Sequence, residues 1–332
     1  MSAMTRDRAS RGDLRTAAGL GLALLSASSF ALSGPLARGL MEAGWTPAAA
    51  VAVRILVGAA VLAPLALLQM RGRWGQVRRH FPLLLLYGLV PVAGTQLAYF
   101  NAVARMPVAV ALLIEYAAPL AVVGWMWLRH RQRPAAATVV GAVVGTAGLL
   151  LVLGVGSGVD MNVAGVAWAL AAMLGAAFYF VLSSRTDEGL PGSVLAAGGL
   201  LVGGVLLLFA GATGIVPFAA STAPVGVAGH LVPWWALVLA FGAVTAALSY
   251  AAGIAAARRL GARLASFVAL SEVVAAVLFA WLLLGEVPRP GQLLGGALIL
   301  AGVVAVKLGE PRPVPDPGQP DYGRLPAQPA RR

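Results

Sequence analysis

The sequence predicts an all-α integral membrane protein with ten transmembrane helices, arranged as two inverted five-helix repeats. Three observations lead to this prediction: an apolar composition, ten apolar segments of spanning length, and an internal repeat that contains an odd number of segments. Of the 332 residues, 60% are hydrophobic and 11% are charged, and the mean hydropathy is +0.86. Soluble domains are about half apolar and about 25% charged. The composition therefore excludes a water-soluble domain with a single core.

The ten apolar segments are each long enough to cross about 30 Å of hydrocarbon at about 1.5 Å per residue. They divide the chain into a cytoplasmic N-terminal segment (1–15), a first five-helix repeat (16–153), a second five-helix repeat (163–307) and a proline-rich cytoplasmic tail (308–332) that we expect to be disordered. The predicted spans are residues 16–37, 47–68, 81–101, 106–127, 135–153, 163–183, 192–210, 234–256, 264–284 and 291–307.

The basic residues are distributed unevenly between the two sides of these spans. With the N-terminus in the cytoplasm, 20 of the 24 Lys and Arg residues fall in cytoplasmic segments and 3 fall outside. Cytoplasmic loops of membrane proteins carry an excess of Lys and Arg. The sequence therefore predicts a multi-pass protein of the cell (inner) membrane with both termini in the cytoplasm. Because the net charge of +12 lies along one membrane side, nucleic acid is not expected as a partner.

Several kinds of chemistry are not expected from this sequence. There is no cysteine, so the chain has no disulfide and no thiolate metal site. The three histidines fall in predicted loops far apart along the chain, and no metal site or cofactor is expected. No Walker A pattern, His-Glu-x-x-His motif or Gly-x-Ser-x-Gly elbow is present, so neither ATP-driven transport nor an enzyme is favoured.

The internal repeat relates the fifth and tenth spans. Residues 139–148 resemble residues 293–302 at an offset of 154, and Pro134 falls on Pro288 at the same offset. Ala98-Tyr99 and Ser249-Tyr250 are each predicted to close a helix before a short basic turn. Five spans per half require the second half to enter the membrane from the opposite side, an arrangement typical of alternating-access transporters. The alternative is a chance match between two helices rich in glycine and alanine.

Three short motifs carry a family resemblance: Val53-Arg54-Ile55-Leu56, Tyr99-Phe100-Asn101-Ala102 and Leu284-Gly285-Glu286. With them, residues 14–308 resemble the EamA family of ten-helix bacterial permeases, within the drug/metabolite transporter superfamily. Arg105-Met106-Pro107, followed by residues 115–122, is similar to the threonine/homoserine exporter branch. The resemblance implies a central cavity lined mainly by the third, fourth, eighth and ninth helices, and amino acids or related amphipathic metabolites as substrates.

Arg54, Glu115 and Glu272 are the acidic and basic residues that lie well inside predicted spans. A charged side chain in the bilayer centre costs at least about 2.5–3.5 kcal/mol, so each should face the bundle interior or a wet cavity. Arg54 and Glu115 lie roughly 10 Å and 14 Å from the outer ends of their spans, depths compatible with a salt bridge. Two interpretations stay open for this pair: an ion pair that fixes packing, or a substrate site.

Glu272 also has two interpretations, a neutral carboxyl that hydrogen-bonds Ser271 or Tyr250, or a carboxylate that binds a proton or cation. Gln96, Tyr116 and Tyr250 are further candidates for the solute or proton pathway, with interfacial anchoring or helix–helix hydrogen bonding as the alternative. Ser271 is the last candidate for this pathway. Glu286, at the outer end of the ninth span, is expected to contact a helix N-terminus.

The function predicted from these features is a secondary transporter that exports small metabolites by alternating access. Its partners would be a small-molecule solute and the lipid bilayer, with protons as a candidate coupling ion and a homodimer left open. An intramembrane enzyme and a structural membrane protein without transport are the alternatives.

Overall fold

The computed structural model describes residues 2–71, 74–118, 120–122, 125, 136–152, 162–183, 191–260 and 268–309, and these are almost entirely helical. Most of the predicted disordered tail lies outside the described residues. The helices of the first half are α1 (Ser2–Ala31), α2 (Ser33–Glu42), α3 (Pro47–Met70), α4 (Trp74–Arg79), α5 (Phe81–Tyr87), the π-helical segment π1 (Gly88–Gly94), α6 (Thr95–Val103), α7 (Val108–Glu115) and α8 (Ala136–Val152).

The second half repeats this pattern and adds a short hairpin. Its elements are α9 (Val163–Ser183), α10 (Gly192–Ala212), β1 (Val225–Val227), β2 (His230–Val232), α11 (Trp234–Gly242), the π-helical segment π2 (Ala243–Leu248), α12 (Ser249–Leu260), α13 (Ser271–Leu284) and α14 (Pro290–Gly309). β1 and β2 pair antiparallel, with Gly226 opposite Leu231.

Five continuous helical stretches are long and apolar enough to cross a membrane: Ala17–Glu42, Pro47–Met70, Phe81–Val103, Gly192–Ala212 and Trp234–Ala256. Shorter apolar helices occupy the positions of the other five predicted spans. Large apolar side chains such as Phe209 and Val143 point outward and are more than 60% exposed. Outward apolar side chains along apolar helices are typical of a protein whose surroundings are lipid.

Helices α8 and α14 pack antiparallel along a glycine seam. Gly141 lies against Gly302 and Gly148 lies against Gly295, so the residue numbers rise along one helix as they fall along the other. A β-carbon placed on Gly302 would lie 2.5 Å from the Gly141 carbonyl oxygen. Small residues let membrane helices approach this closely. These are the glycines of the repeat predicted from the sequence, and they bring the last helix of each half together.

The two π-helical segments, π1 and π2, also occupy corresponding positions in the two repeats. Residues Thr95 and Ser249, which begin α6 and α12, are 154 positions apart, the same offset that relates residues 139–148 to residues 293–302. The prediction that Ser249-Tyr250 closes a helix is wrong, because these residues begin α12, which continues to Leu260. The helix therefore reaches the basic residues near its end only after more than two further turns, and Tyr250 matches Gln96 rather than Tyr99.

The hairpin marks one end of the bundle, which we call the hairpin face. The segment that leads into β1 is tied to the start of α3, where the Trp45 indole N–H donates to the Ser221 carbonyl at 2.9 Å and Thr46 N–H donates to the Ala219 carbonyl at 2.9 Å. Val225 is fully buried against α2. At the opposite face, Ser193 of α10 donates to Gln69 of α3 at 2.5 Å.

Candidate functional site

A cavity of about 510 Å³ lies at the centre of the bundle, between the two halves of the chain. It begins in the middle of the helices and extends away from the hairpin face, towards Gly253 and Ile254 of α12. On the hairpin side of the cavity the helices pack closely against one another, and Leu40, Phe100 and Val108 are fully buried. The polar or charged side chains of the lining are Ser26, Ser33, Arg54, Tyr87, Thr95, Gln96, Tyr99, Glu115, Tyr116, Tyr179, Ser249, Tyr250 and Glu272.

Arg54 of α3 is the buried cation of this cavity, with 3% of its surface exposed. Its Nε donates to the Thr245 hydroxyl at 2.8 Å and its Nη2 donates to the Thr245 carbonyl at 2.7 Å. Nη1 donates to the side-chain oxygen of Gln96. Thr245 lies within π2, and its carbonyl can accept from a side chain because a π-turn disturbs the regular α-helical hydrogen-bond ladder.

Three aromatic rings surround the same guanidinium. The Arg54 Cζ atom lies 5.9 Å from the ring centre of Phe30, 6.0 Å from that of Phe100 and 5.7 Å from that of Phe241. A desolvated cation–π contact contributes up to about 2 kcal/mol. The rings and the Thr245 and Gln96 oxygens therefore offset part of the cost of burying the charge.

The predicted salt bridge between Arg54 and Glu115 is not formed. Within the described part of the chain, no carboxylate oxygen lies within 4.0 Å of an Arg54 nitrogen, and the ion pairs there involve Arg38 instead. Depth along the helix axis was compatible with the pair, but depth does not fix the direction in which a side chain leaves its helix. Glu115 and Glu272 interact with Arg54 electrostatically, without direct contact.

Glu272 lies in the first turn of α13 and reaches across to the first half of the chain. The Tyr116 hydroxyl donates to its Oε2 at 2.7 Å. Neither of the partners considered from the sequence is used: the Ser271 hydroxyl donates to the Val268 carbonyl of its own chain segment at 2.7 Å, and the Tyr250 ring packs edge-on against Phe30. Glu272 is therefore linked to the other repeat and lies in the cavity wall.

Glu115 lies at the end of α7, where residues 116–117 form a turn inside the bundle. The sequence places proline at 119, which has no N–H to donate to the Glu115 carbonyl. Residue 270, just before α13, is also a turn. Both half-buried carboxyl groups therefore lie at helix ends within the bundle, where the side chain and backbone can reach the cavity.

Six of the seven site candidates predicted from the sequence line the cavity: Arg54, Gln96, Glu115, Tyr116, Tyr250 and Glu272. Ser271 is not among the lining residues. The sequence did not single out Thr245 or Phe241, which hold the guanidinium, or Phe30. Their types are ordinary for a membrane helix, so composition and spacing carried no signal for them. Pro91, inside π1, is a local sign in the sequence of an irregular helix.

A second polar cluster closes the hairpin face above the cavity. Arg38 of α2 donates to the Val103 carbonyl and, at 3.1 Å, to the Met106 carbonyl. The same side chain pairs with Glu42 at 3.1 Å and approaches Glu286 at 3.9 Å. We call Arg38, Glu42 and Glu286, with these backbone partners, the outer cluster.

Glu286 accepts a hydrogen bond of 2.9 Å from the Val108 N–H at the start of α7, the helix N-terminal contact expected from the sequence. It can reach α7 because Gly285 takes a positive φ of 71° and turns the chain at the end of α13. Burial raises the pKa of Glu286 above the ordinary glutamate value, and the Val108 N–H and Arg38 oppose part of that rise. Glu42 adds to the rise through charge repulsion.

The described residues contain no group of three or more His, Cys, Asp or Glu side chains arranged to hold a metal ion. What the cavity offers is one cation, two carboxyl groups and a wall of tyrosine and phenylalanine rings. Such a set can bind a small solute with both polar and apolar parts.

Comparisons with known proteins agree with this architecture. One solved crystal structure is 25% identical in sequence, with a TM-score of 0.57, over 89% of this chain and 97% of its own. No curated protein matches the sequence. The profile of the EamA-like transporter family matches residues 17–154 and again residues 163–308, which confirms the resemblance seen in the sequence motifs. With most of its length matched in two successive halves, the chain belongs to the EamA-like transporter family of membrane proteins.

Proposed function

We propose that this protein is a secondary transporter that exports a small amphipathic metabolite, such as an amino acid, by alternating access. The observation that carries the proposal is the central cavity, whose wall is built from both halves and contains Arg54, Glu115 and Glu272. Charged groups inside a membrane bundle mark solute or ion pathways. A structural scaffold requires no cavity of this kind between two repeats.

Alternating access is supported by the packing of corresponding helices. α8 and α14 run antiparallel, and so do α3 and α10, where Gly58 faces Leu200 and Gly204 faces Leu56. Corresponding helices of two repeats run in opposite directions when the repeats are inverted. We therefore propose ten membrane crossings. In such a fold each half can adopt the conformation of the other.

The charge distribution supports an orientation. The basic ends of α4 and α12 lie away from the hairpin face, so the positive-inside rule assigns that opposite face to the cytoplasm. The cavity extends towards this same side. We therefore propose that the structure corresponds to a state that loads solute from the cytoplasm, with both termini in the cytoplasm and the outer cluster closing the other side.

Protons are the coupling ion that we propose, with Glu272 as the carrier and Glu115 as the second candidate. Both carboxyl groups lie in the cavity wall, and Glu272 alone is linked directly to the opposite repeat through Tyr116. A carboxyl that gains or loses a proton as the cavity opens would couple the proton gradient to the movement of the repeats.

The experiment is solute flux in proteoliposomes. Purified protein is first screened against amino acids and related amphipathic compounds by thermal shift, because a bound ligand raises apparent stability. A labelled hit is then loaded inside vesicles, and its efflux is compared with that from protein-free vesicles. Efflux that depends on the protein and competes with unlabelled hit is expected. Chemical conversion of the hit would instead indicate an enzyme, and absence of flux and conversion across the panel would contradict the proposal.

A further inference from the structure

Arg54 lacks a counter-charge in contact with it, although it is one of the most deeply buried polar side chains of the bundle. A guanidinium has five N–H donors. Three are occupied, by the Thr245 hydroxyl, the Thr245 carbonyl and the Gln96 side chain. Two remain, one on each terminal nitrogen, and no other acceptor for them occurs among the described residues. The side chain borders the cavity, so these donors are available to a bound molecule.

The partners that Arg54 does have are all neutral. Two backbone or hydroxyl oxygens, one amide oxygen and three rings surround it, and none of them carries a formal charge. These groups hold the guanidinium plane in one orientation and do not neutralise it. Buried charges in proteins are ordinarily paired with an opposite charge. An oriented, unpaired cation at the wall of a cavity is the arrangement that a ligand anion completes.

The planar guanidinium group, whose N–H donors form a fork, indicates which kind of anion Arg54 can bind. Carboxylates pair with guanidinium groups through two parallel N–H···O bonds, and such charge-assisted bonds are roughly twice as strong as neutral ones. Phenyl and phenol rings cover much of the remaining wall, with Phe30 and Tyr99 close to the cation. The pocket therefore fits a carboxylate attached to an apolar or aromatic body better than a small inorganic anion, which would leave the rings without contacts.

We propose that Arg54 binds the carboxylate of the solute, and that this carboxylate provides the direct ion-pair contact that Glu115 and Glu272, in the same cavity wall, do not make. Gln96 and Thr245 then act as positioning residues that aim the free N–H groups into the cavity. The inference rests on the proposed function, because the bound solute is taken to be the transported one. It adds a requirement that the proposed function does not contain: the solute must carry a carboxylate.

Binding to matched pairs of acids and amides tests this requirement in the unaltered full-length protein. The pairs are 3-phenylpropanoate with 3-phenylpropanamide, indole-3-acetate with indole-3-acetamide, and hexanoate with hexanamide, measured by thermal shift and titration calorimetry in detergent. Each pair keeps the body and removes the charge. At least one acid should bind about 10- to 100-fold more tightly than its amide, the ratio expected when a charged hydrogen-bonding group is left unpaired. Equal binding of acid and amide in every pair, or no binding by any acid, would overturn the proposal.

Variants then assign the effect to Arg54. Arg54→Gln should remove the preference for the acid and leave amide binding as it was, and Arg54→Lys should keep a weaker preference because it keeps the charge and loses the fork. Arg289→Gln, an exposed arginine on the hairpin face, is the matched control and should bind as the parent does. Arg54→Gln that still prefers the acid would contradict the assignment. If Arg54→Gln does not fold, the acid and amide titrations of the parent and Arg54→Lys still decide the matter.

The proposed function can fail separately from this inference. Acid-selective binding without flux in proteoliposomes would keep the carboxylate site and remove transport. Flux of a solute without a carboxylate, unchanged in Arg54→Lys, would keep transport and remove the carboxylate requirement.

Discussion

The hydroxyl of Tyr116 donates a hydrogen bond of 2.7 Å to Oε2 of Glu272, and the two residues belong to different repeats. Tyr116 follows the end of α7, and Glu272 lies in the first turn of α13. Both side chains lie in the cavity wall beside turns that interrupt their helices. A change in the relative position of the repeats must therefore change the surroundings of this bond.

Tyr116→Phe removes that hydroxyl and keeps the ring. We expect the free energy of unfolding to fall by about 1–3 kcal/mol, because a partly buried hydrogen bond to a carboxyl group is lost. Denaturation in mixed micelles measures the change. Tyr99→Phe is the control: its ring also borders the cavity, but its hydroxyl has no hydrogen bond to the described part of the protein. Equal losses in the two variants would mean that the Glu272 contact does not hold the repeats together.

The partners of Arg54 predict which pair of residues is energetically coupled. A double-mutant cycle with Arg54→Leu and Gln96→Leu should give a coupling energy of about 1–3 kcal/mol, because each single change leaves the other side chain, buried Arg54 or half-buried Gln96, without this hydrogen bond. The same cycle with Arg54→Leu and Glu115→Leu should give a smaller value, since these side chains make no direct contact. A larger coupling energy with Glu115 than with Gln96 would contradict this expectation and would favour the Arg54–Glu115 ion pair considered from the sequence.

The glycine seam between α8 and α14 gives a prediction about packing. Gly302→Ala places a methyl group 2.5 Å from the Gly141 carbonyl oxygen, so the helices must separate. We expect a loss of about 1–3 kcal/mol in unfolding free energy, the usual cost of overpacking. Gly291→Ala is the matched control in the same helix, because nothing lies within 4 Å of the added carbon. If the two variants are equally stable, the seam does not contribute to stability.

The helices were largely predictable from the sequence, and the contacts of the cavity were not. The prediction of residues 47–68 agrees with the helix Pro47–Met70, because hydropathy reports which residues avoid water. Hydropathy does not report the angle at which a side chain leaves its helix. Arg54 therefore suggested Glu115, at a similar depth, while its actual partner Thr245 lies 191 residues away on a π-turn. A π-turn depends on the packing around it and leaves no periodic signal in the sequence.

Closure of the hairpin face should depend on pH through Glu286. Burial raises its pKa in this closed form, whereas water would restore an ordinary value if the face opened. The closed form therefore binds a proton more tightly, and acidification should favour closure. The charged groups that face Glu286 are Arg38, which opposes the rise of its pKa, and Glu42, which adds to it.

A cysteine reporter measures this closure on the naturally cysteine-free chain. The reporter is Leu112→Cys, in the cavity wall below the outer cluster. Its rate of reaction with an impermeant thiol reagent added outside should fall as the pH is lowered from about 7 to about 4. The exposed variant Thr222→Cys, measured in the same way, corrects for the effect of pH on thiol reactivity itself. Glu286→Gln should remove the pH dependence. Arg38→Gln should raise labelling at every pH, because the bonds to Val103 and Met106 are lost. Faster labelling at low pH would contradict the sign.

Glu272→Gln gives the sharpest test of proton coupling. The amide keeps the shape of the side chain and can still accept from the Tyr116 hydroxyl, so the fold should be retained. It cannot take up or release a proton. We expect the variant to exchange labelled solute at equilibrium, because binding and reorientation need no change of charge at this position. Accumulation driven by an imposed pH gradient should be lost, because that step requires a proton to cross with the repeats.

Two further variants make the result specific to this carboxyl group. Glu42→Gln removes a carboxylate that is 65% exposed on the hairpin face, and it should keep both exchange and pH-driven accumulation. Glu115→Gln removes the second carboxyl group of the cavity and tests the other candidate directly. If Glu272→Gln accumulates solute normally while Glu115→Gln does not, the proton is carried by Glu115. If both accumulate normally, the pH gradient acts elsewhere or not at all, and solute would cross by facilitated diffusion.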